Sequence, residues 1–253
     1  MKKLILLLSF VFLLSGCDLF SDPVCIETHG QVRGGLTYIP NETEPFSGES
    51  SCYYKNGDRK SEVEYTDGKK DGNSILWFKN GQKKLHVHYT NGIKDGNGTL
   101  WNSKGQKSIE DNYLDGVQEG LSTRWYLGKK VSEVNYRDGR MNGKYTYWYT
   151  DGQKKSEGLY KNDTKDGKWV EWYKNGQKKS EGLYKNDKKE GIWLEWSKHG
   201  YKFIETIYVN NMKNGYYIRW WDVDIKESEG LYKDGNKIGE WKFWDINGVT
   251  ITQ

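Results

Sequence analysis

Aliphatic side chains are scarce in this chain. The whole apolar set, aromatics included, is 35% of 253 residues, which argues against a thick aliphatic core. Charge of one sign is lacking too. The formal net charge is +4, and removing Lys2 and Lys3 with a leader leaves +2, too weak a bias to argue for a nucleic-acid partner. Helical periodicity is missing outside the first residues. No GxSxG, HExxH, P-loop or GxGxxG pattern occurs, so no catalytic or cofactor site announces itself. The chain reads as non-enzymatic, with no catalytic residue, no metal and no cofactor. Cysteine is limited to Cys17, Cys25 and Cys52.

What the chain has instead is repetition. Tyr65, Tyr89, Tyr113, Tyr136, Tyr160, Tyr184, Tyr208 and Tyr232 open eight units with a period of 24 residues, 23 in the third. A glycine always follows seven residues on, from Gly72 to Gly239. A tryptophan always follows five after that, from Trp77 to Trp244. A fixed period of this length marks a repeat array whose units contact mainly their neighbours. Burial must then come from aromatic plates: 12 Trp and 19 Tyr are available.

One unit can be read physically. Gly167 to Lys174 is rich in aromatic and β-branched residues and reads as a strand; Gln177 to Tyr184 reads as its partner. Asn175-Gly176 between them predicts a two-residue type I′ turn. That turn sets Gly167 opposite Tyr184, Trp172 opposite Lys179 and Tyr173 opposite Lys178. Tryptophan and tyrosine then point to opposite faces, and the glycine lets the next tyrosine lie flat across it. Lys161 to Asp166, polar and rich in Asn and Asp, reads as the loop between hairpins. The expected fold is all-β: an elongated, twisted antiparallel meander of tandem 24-residue β-hairpins, a single sheet or shallow groove roughly 75–80 Å long at ~4.8 Å per strand.

Tyr136-Arg-Asp-Gly139-Arg-Met-Asn-Gly143 resembles the MORN repeat core, Tyr-x-x-Gly-x-x-x-Gly. The added tryptophan and the Asn-Gly-Gln-Lys-Lys turn are similar to the MORN-variant repeats of bacterial YwqK-family antitoxins. Tyr38 to Gly48 resembles the entry unit of that group. Asp163, Asp187 and Asn211 depart from the pattern by replacing the first core glycine, and all three tolerate a left-handed backbone.

The N-terminus reads as an address. A basic Met1-Lys2-Lys3 precedes the apolar run Leu4 to Leu14, too short to span a bilayer. Leu14-Ser15-Gly16-Cys17 resembles the lipobox of bacterial lipoproteins, which implies cleavage before Cys17 and its lipidation. Asp18 resembles the signal that retains such proteins in the inner membrane. The expected divisions are a signal peptide 1–16, a linker 17–37, a partial capping repeat 38–64 and eight repeats over 65–253. In an exported chain a Cys25–Cys52 bridge is the economical pairing, with free buried thiols as the alternative.

Charges also recur. A base stands six residues before each unit's tyrosine, as at Lys154, Lys178 and Lys202. A glutamate stands three before it in seven of eight units, as at Glu157 and Glu181. A track for an anionic partner is one reading. A framework of cation–π pairs with Phe78, Tyr149, Tyr173 or Trp221 across the hairpin is the better one. His86 and His88 share a strand face without a third ligand, which reads as a solvated pair.

Two units depart most from the pattern: the third, shortened around Trp125, Tyr126 and Gly128, and the seventh, with Tyr216, Tyr217, Trp220 and Trp221. These aromatics are the candidate partner-binding residues. The resemblance implies an immunity or antitoxin protein, monomeric and displayed from a lipid anchor on the periplasmic side. It would neutralise a toxin or secreted effector through protein binding. The alternative is an envelope scaffold binding lipid headgroups or peptidoglycan glycan.

Overall fold

Two kinds of tight turn alternate along the chain and dictate its sheet. At the first, Tyr173 N donates to Gln177 O (2.8 Å) and Gly176 N to Tyr173 O (3.0 Å). Of the intervening residues only Gly176 is left-handed, φ 84°. This is a three-residue loop closed by a left-handed glycine, not the expected two-residue type I′ turn. The asparagine fastens this loop without dictating it, since the same bond pair closes Asn102–Gln106 around Lys104-Gly105 and Asp245–Val249 in the last unit. Asn175 Oδ1 accepts from Gln177 N (3.1 Å) and its Nδ2 reaches Lys198 O of the next unit (2.6 Å). The register therefore holds from Gly167–Tyr184 to Glu171–Ser180 and then shifts, so that Trp172 opposes Lys178 rather than Lys179.

The type I′ geometry appears at the other turn, inside the segments read as loops. Asp67-Gly68, Asn162-Asp163 and Asn186-Asp187 each place two consecutive residues at positive φ. These tips also hydrogen-bond to the unit before: Asp163 N to Met141 O and Asp187 N to Lys165 O, both 3.0 Å. The residues that replace glycine here add a bond glycine cannot make. Asp163 Oδ1 accepts from Met141 N (2.7 Å), and Asp187 Oδ1 from Lys165 N (2.8 Å).

The computed structural model describes residues 24–251. The proposed leader, Cys17 and Asp18 lie outside the described residues. From Gly48 onward the chain forms one antiparallel sheet of 20 strand segments. Pairing follows chain order, as for Gly167–Trp172 with Lys178–Lys185 and Lys178–Lys185 with Lys188–Trp196. In every unit the glycine seven residues after the tyrosine has φ between 65° and 119°. The pairing with the preceding strand slips at this point, as between Glu181 and Leu183, so the glycine forms a left-handed bulge. That backbone conformation, rather than room for a flat tyrosine, is why no side chain is tolerated.

The core is a single row running across the sheet on the tyrosine face. In the first units it alternates Ser50, Val63, Ser74, Val87 and Gly98. In the later units it alternates Tyr145, Gly158, Trp169, Gly182, Trp193 and Thr206. Trp169 and Trp193 thus lie between small residues, while Tyr145 has Gly158 on one side and Val134 on the other. Trp169 and Trp193 are 4% and 3% exposed, edge-on to Tyr184 at 5.9 and 5.0 Å. Their indole N–H groups donate to Leu159 O and Leu183 O, both at 3.1 Å. A Cβ on Gly158 or Gly182 would sit 2.3 Å from the indole of Trp169 or Trp193. Aromatic cover of glycine is real, but it occurs in this row.

Residues 24–37, in the segment expected to be a linker, carry regular structure. A short helix, Ile26–His29, and a hairpin of Gln31–Arg33 with Leu36–Tyr38 cap the first unit. Cys25 is bonded to Cys52, Val24 O accepts from Ser51 N (2.8 Å), and the Glu27 carboxylate meets Lys60 and Ser61. The partial unit is a whole hairpin, Gly48–Tyr53 with Arg59–Thr66. Among the described residues no helix is long and apolar enough to cross a membrane.

Candidate functional site

The face opposite the tyrosines carries the repeated tryptophans, as expected, and their charges are largely consumed there. Lys178 Nζ lies 2.9 Å from Glu181 and 4.7 Å from the Trp196 ring centroid. Lys202 repeats this with Glu205 (2.8 Å) and Trp220 (4.4 Å). The base therefore covers the tryptophan of the following unit, which corrects the expected partner across its own hairpin. Hydrogen bonding from Lys154 comes first among the effects that hold the Glu157 carboxyl below its usual range. At Glu181 burial opposes the shift, and contacts from Lys178 and Lys168 still lower it. The functional reading of this ladder as an anionic track loses its free charges.

A second ladder runs along the turn ends. In four units the residue after the tryptophan, or after its counterpart Tyr53, is a tyrosine or tryptophan that reaches the next unit's tryptophan carbonyl. Tyr54 Oη donates to Trp77 O (2.7 Å), Tyr149 to Trp172 O (2.9 Å), and Tyr173 to Trp196 O (3.0 Å). Trp221 Nε1 donates to Trp244 O (2.9 Å). Tyr126 carries the same hydroxyl but makes no such bond to Trp148 among the described residues. The cause is the missing residue of the third unit. With one residue fewer the loop closes on Leu127-Gly128, both left-handed at 50° and 75°, and Tyr126 pairs with Lys129.

The ladder breaks there, and a notch opens between the third and fourth units. Trp125, Tyr126 and Val131 line one side, and Tyr147, Trp148 and Tyr149 the other. Lys155 Nζ sits 5.0 Å from the Tyr147 ring centroid and 5.6 Å from that of Tyr149. Tyr126 is 59% exposed. Beneath, on the row across the sheet, the pattern changes as well. The large residue moves from the return strand at Val134 to the outgoing strand at Tyr145. Just before it stands an ion pair, Arg124 with the 8%-exposed Asp111 at 2.5 Å.

The candidate aromatics of the seventh unit are not one site. Tyr217 is buried and edge-on to Tyr232, so it belongs to the core and cannot meet a partner. Trp220 is half-buried under Lys202. Tyr216 stands exposed over a shallow depression with Ile218, Leu231 and Lys242, while Trp221 lies at the turn end. Trp125 and Tyr126 do come together. Sequence reasoning missed Tyr147, Trp148 and Tyr149 because they obey the repeat; only their position beside the shortened loop singles them out. His86 and His88 do not act together: His86 Nε2 contacts Asn73 Oδ1 (2.9 Å), and His88 Nδ1 contacts Asp95 O (3.2 Å). Among the described residues no cluster could hold a metal ion.

Three segments, 47–67, 141–162 and 165–186, match the model of the MORN repeat variant. These hairpins are MORN-variant repeats. The first matched segment is the hairpin beneath the N-terminal cap, so MORN repeats begin before Tyr65; the other two open the aromatic half of the row, with Tyr145 and Trp169. A comparison with curated proteins returns no match.

Proposed function

We propose that this chain is a non-enzymatic binding scaffold whose MORN-variant sheet presents the notch at Trp125–Tyr149 to a protein partner. The observation that carries the reading is the broken turn ladder, which leaves Tyr126 exposed with aromatic neighbours. Elsewhere the same kind of residue is tied into the framework. Exposed aromatics in a recess are the side chains that dominate protein-binding hot spots. The similarity of the repeats to those of bacterial antitoxins supports an immunity role: neutralising a toxin or secreted effector by steric block. In this reading Cys17 carries a lipid anchor and the array is displayed in the periplasm, with Asp18 favouring the inner membrane. The test is deletion of the gene followed by challenge with effectors encoded beside it. Sensitisation supports immunity, and unchanged survival rules it out.

One observation favours the envelope-scaffold alternative. Lys165, Lys189, Lys213 and Lys237 recur on the tyrosine face, each over aromatic rings at 4.1–4.5 Å. No carboxylate lies within ion-pair distance of them among the described residues. Sedimentation of the soluble array with anionic liposomes or with peptidoglycan separates the two readings.

A further inference from the structure

We propose that the notch receives an aromatic or apolar side chain carried on an acidic stretch of the partner. This rests on the protein-binding reading above and adds the partner's chemistry. The recess is lined by Trp125, Val131 and Trp148, so it favours an apolar group. Bases outside the salt-bridged ladder stand beside it. Ladder lysines beside it are neutralised: Lys130 by Glu133 at 2.5 Å and Lys154 by Glu157 at 2.7 Å. Lys129 and Lys155, which alternate with them, meet no carboxylate within ion-pair distance among the described residues. Lys129 opposes Tyr126 across the shortened loop, and Lys155 lies over the rings of Tyr147 and Tyr149. The acids flanking Lys155 in sequence are already engaged: Glu157 by Lys154 and Lys144 (3.5 Å), Asp151 by Gln153 N (3.1 Å) and Lys174 (3.9 Å). An apolar recess with Lys155 in its lining and Lys129 paired to its Tyr126 is complementary to an acidic segment that inserts one ring. A neutral sugar would use the rings and leave both charges idle.

The shortened loop supplies the decisive variant. Inserting one asparagine between Tyr126 and Leu127 rebuilds the three-residue loop and lets Tyr126 Oη reach Trp148 O, which closes the notch. Peptides would be selected on the full chain from a random library displayed on phage. We expect enrichment of sequences with an aromatic residue flanked by Asp or Glu. Affinity of the enriched peptides should fall at least about tenfold in the insertion variant, the size of a lost hot spot. Lys129→Ala and Lys155→Ala should each weaken binding roughly fivefold at low salt, and less at high salt. These two variants keep the test open should the insertion fail to fold. No enrichment, enrichment of basic peptides, or affinity indifferent to all three variants overturns the proposal. So does binding of a neutral chitin oligosaccharide that the insertion abolishes, which would replace the peptide by a sugar. An outcome in which peptides bind as expected but gene deletion sensitises no cell removes the immunity role and leaves this inference standing.

Discussion

Gly182 and Gly191 lie nine residues apart and forbid a side chain for different reasons. Gly182 has an ordinary backbone, but a Cβ there would meet the Trp193 indole at 2.3 Å. That ring is held between Tyr184 and Tyr208 and cannot give way. Gly191 has open space to 4.0 Å but a φ of 67°. Gly182→Ala should cost about 1–3 kcal/mol through overpacking, and Gly191→Ala about 1–2 kcal/mol through the left-handed backbone. Shifts in denaturant midpoint at constant slope measure both. The tyrosines make a prediction at alkaline pH. Burial pushes the phenols of Tyr65, Tyr89, Tyr160, Tyr184 and Tyr208 upward, and that of Tyr145 to about 12. An acid with a raised folded value releases its proton first in the unfolded chain. Stability is therefore complete below about pH 10 and should be lost as pH rises beyond it. Unfolding by urea at increasing alkaline pH reads this directly.

At the scale of elements, the sequence revealed the hairpins better than their turns. Tyrosine, glycine and tryptophan at fixed spacing located the hairpins and the two faces, but not the cap strands Gln31–Arg33 and Leu36–Tyr38 or the strand Thr164–Lys165 inside the segment read as a loop. Asn-Gly was a sound hairpin signal, yet it fits two geometries. The neighbouring unit fastens the longer one by offering Lys198 O to the Asn175 amide, although Asp245–Val249 closes the same way at the end of the array. No pattern within one unit contains that partner. The same limit hid the partner of each ladder lysine, which sits on the following hairpin. The ion pairs carry a pH dependence of the opposite sign. Glu157 and Glu181 have lowered carboxyl values, so they contribute stability above the unfolded value near 4.3. That contribution is lost as pH falls through their folded range. Both pairs are partly exposed, so the effect is small and screened by salt. Glu157→Gln should flatten the acid limb of stability against pH without moving the neutral plateau by more than about 1 kcal/mol. The N-terminal cap is a separate element. Reducing Cys25–Cys52 should cost roughly 3–4 kcal/mol locally. Hydrogen exchange should then rise over residues 24–66 while the distant units stay protected, because each unit rests mainly on its neighbours.

On the scale of the whole molecule, the array is two half-arrays joined at the third and fourth units. Before the junction the row holds valine beside serine or glycine; after it, tryptophan or tyrosine mostly beside glycine. The missing residue, the Asp111–Arg124 pair and the open notch all fall at this junction. A framework that repeats explains the fold, and under the proposal above the interruption is where a partner would find side chains the framework does not use. Of this the sequence showed the deletion and the exposed Tyr126, but not the junction. Val134 and Tyr145 look unremarkable until the register sets them side by side.

The claim that function resides in the departure and stability in the repeat is tested most directly by a unit swap. Residues 111–135 are replaced by residues 158–183, so that Gly158 takes the place of Asp111 when Arg124 is lost, and the full chain is compared with the parent for urea stability and for affinity toward notch-selected peptides. The account predicts a folded chain of equal or greater stability whose peptide affinity drops at least about tenfold. A swapped chain that folds and binds these peptides as tightly as the parent would contradict it.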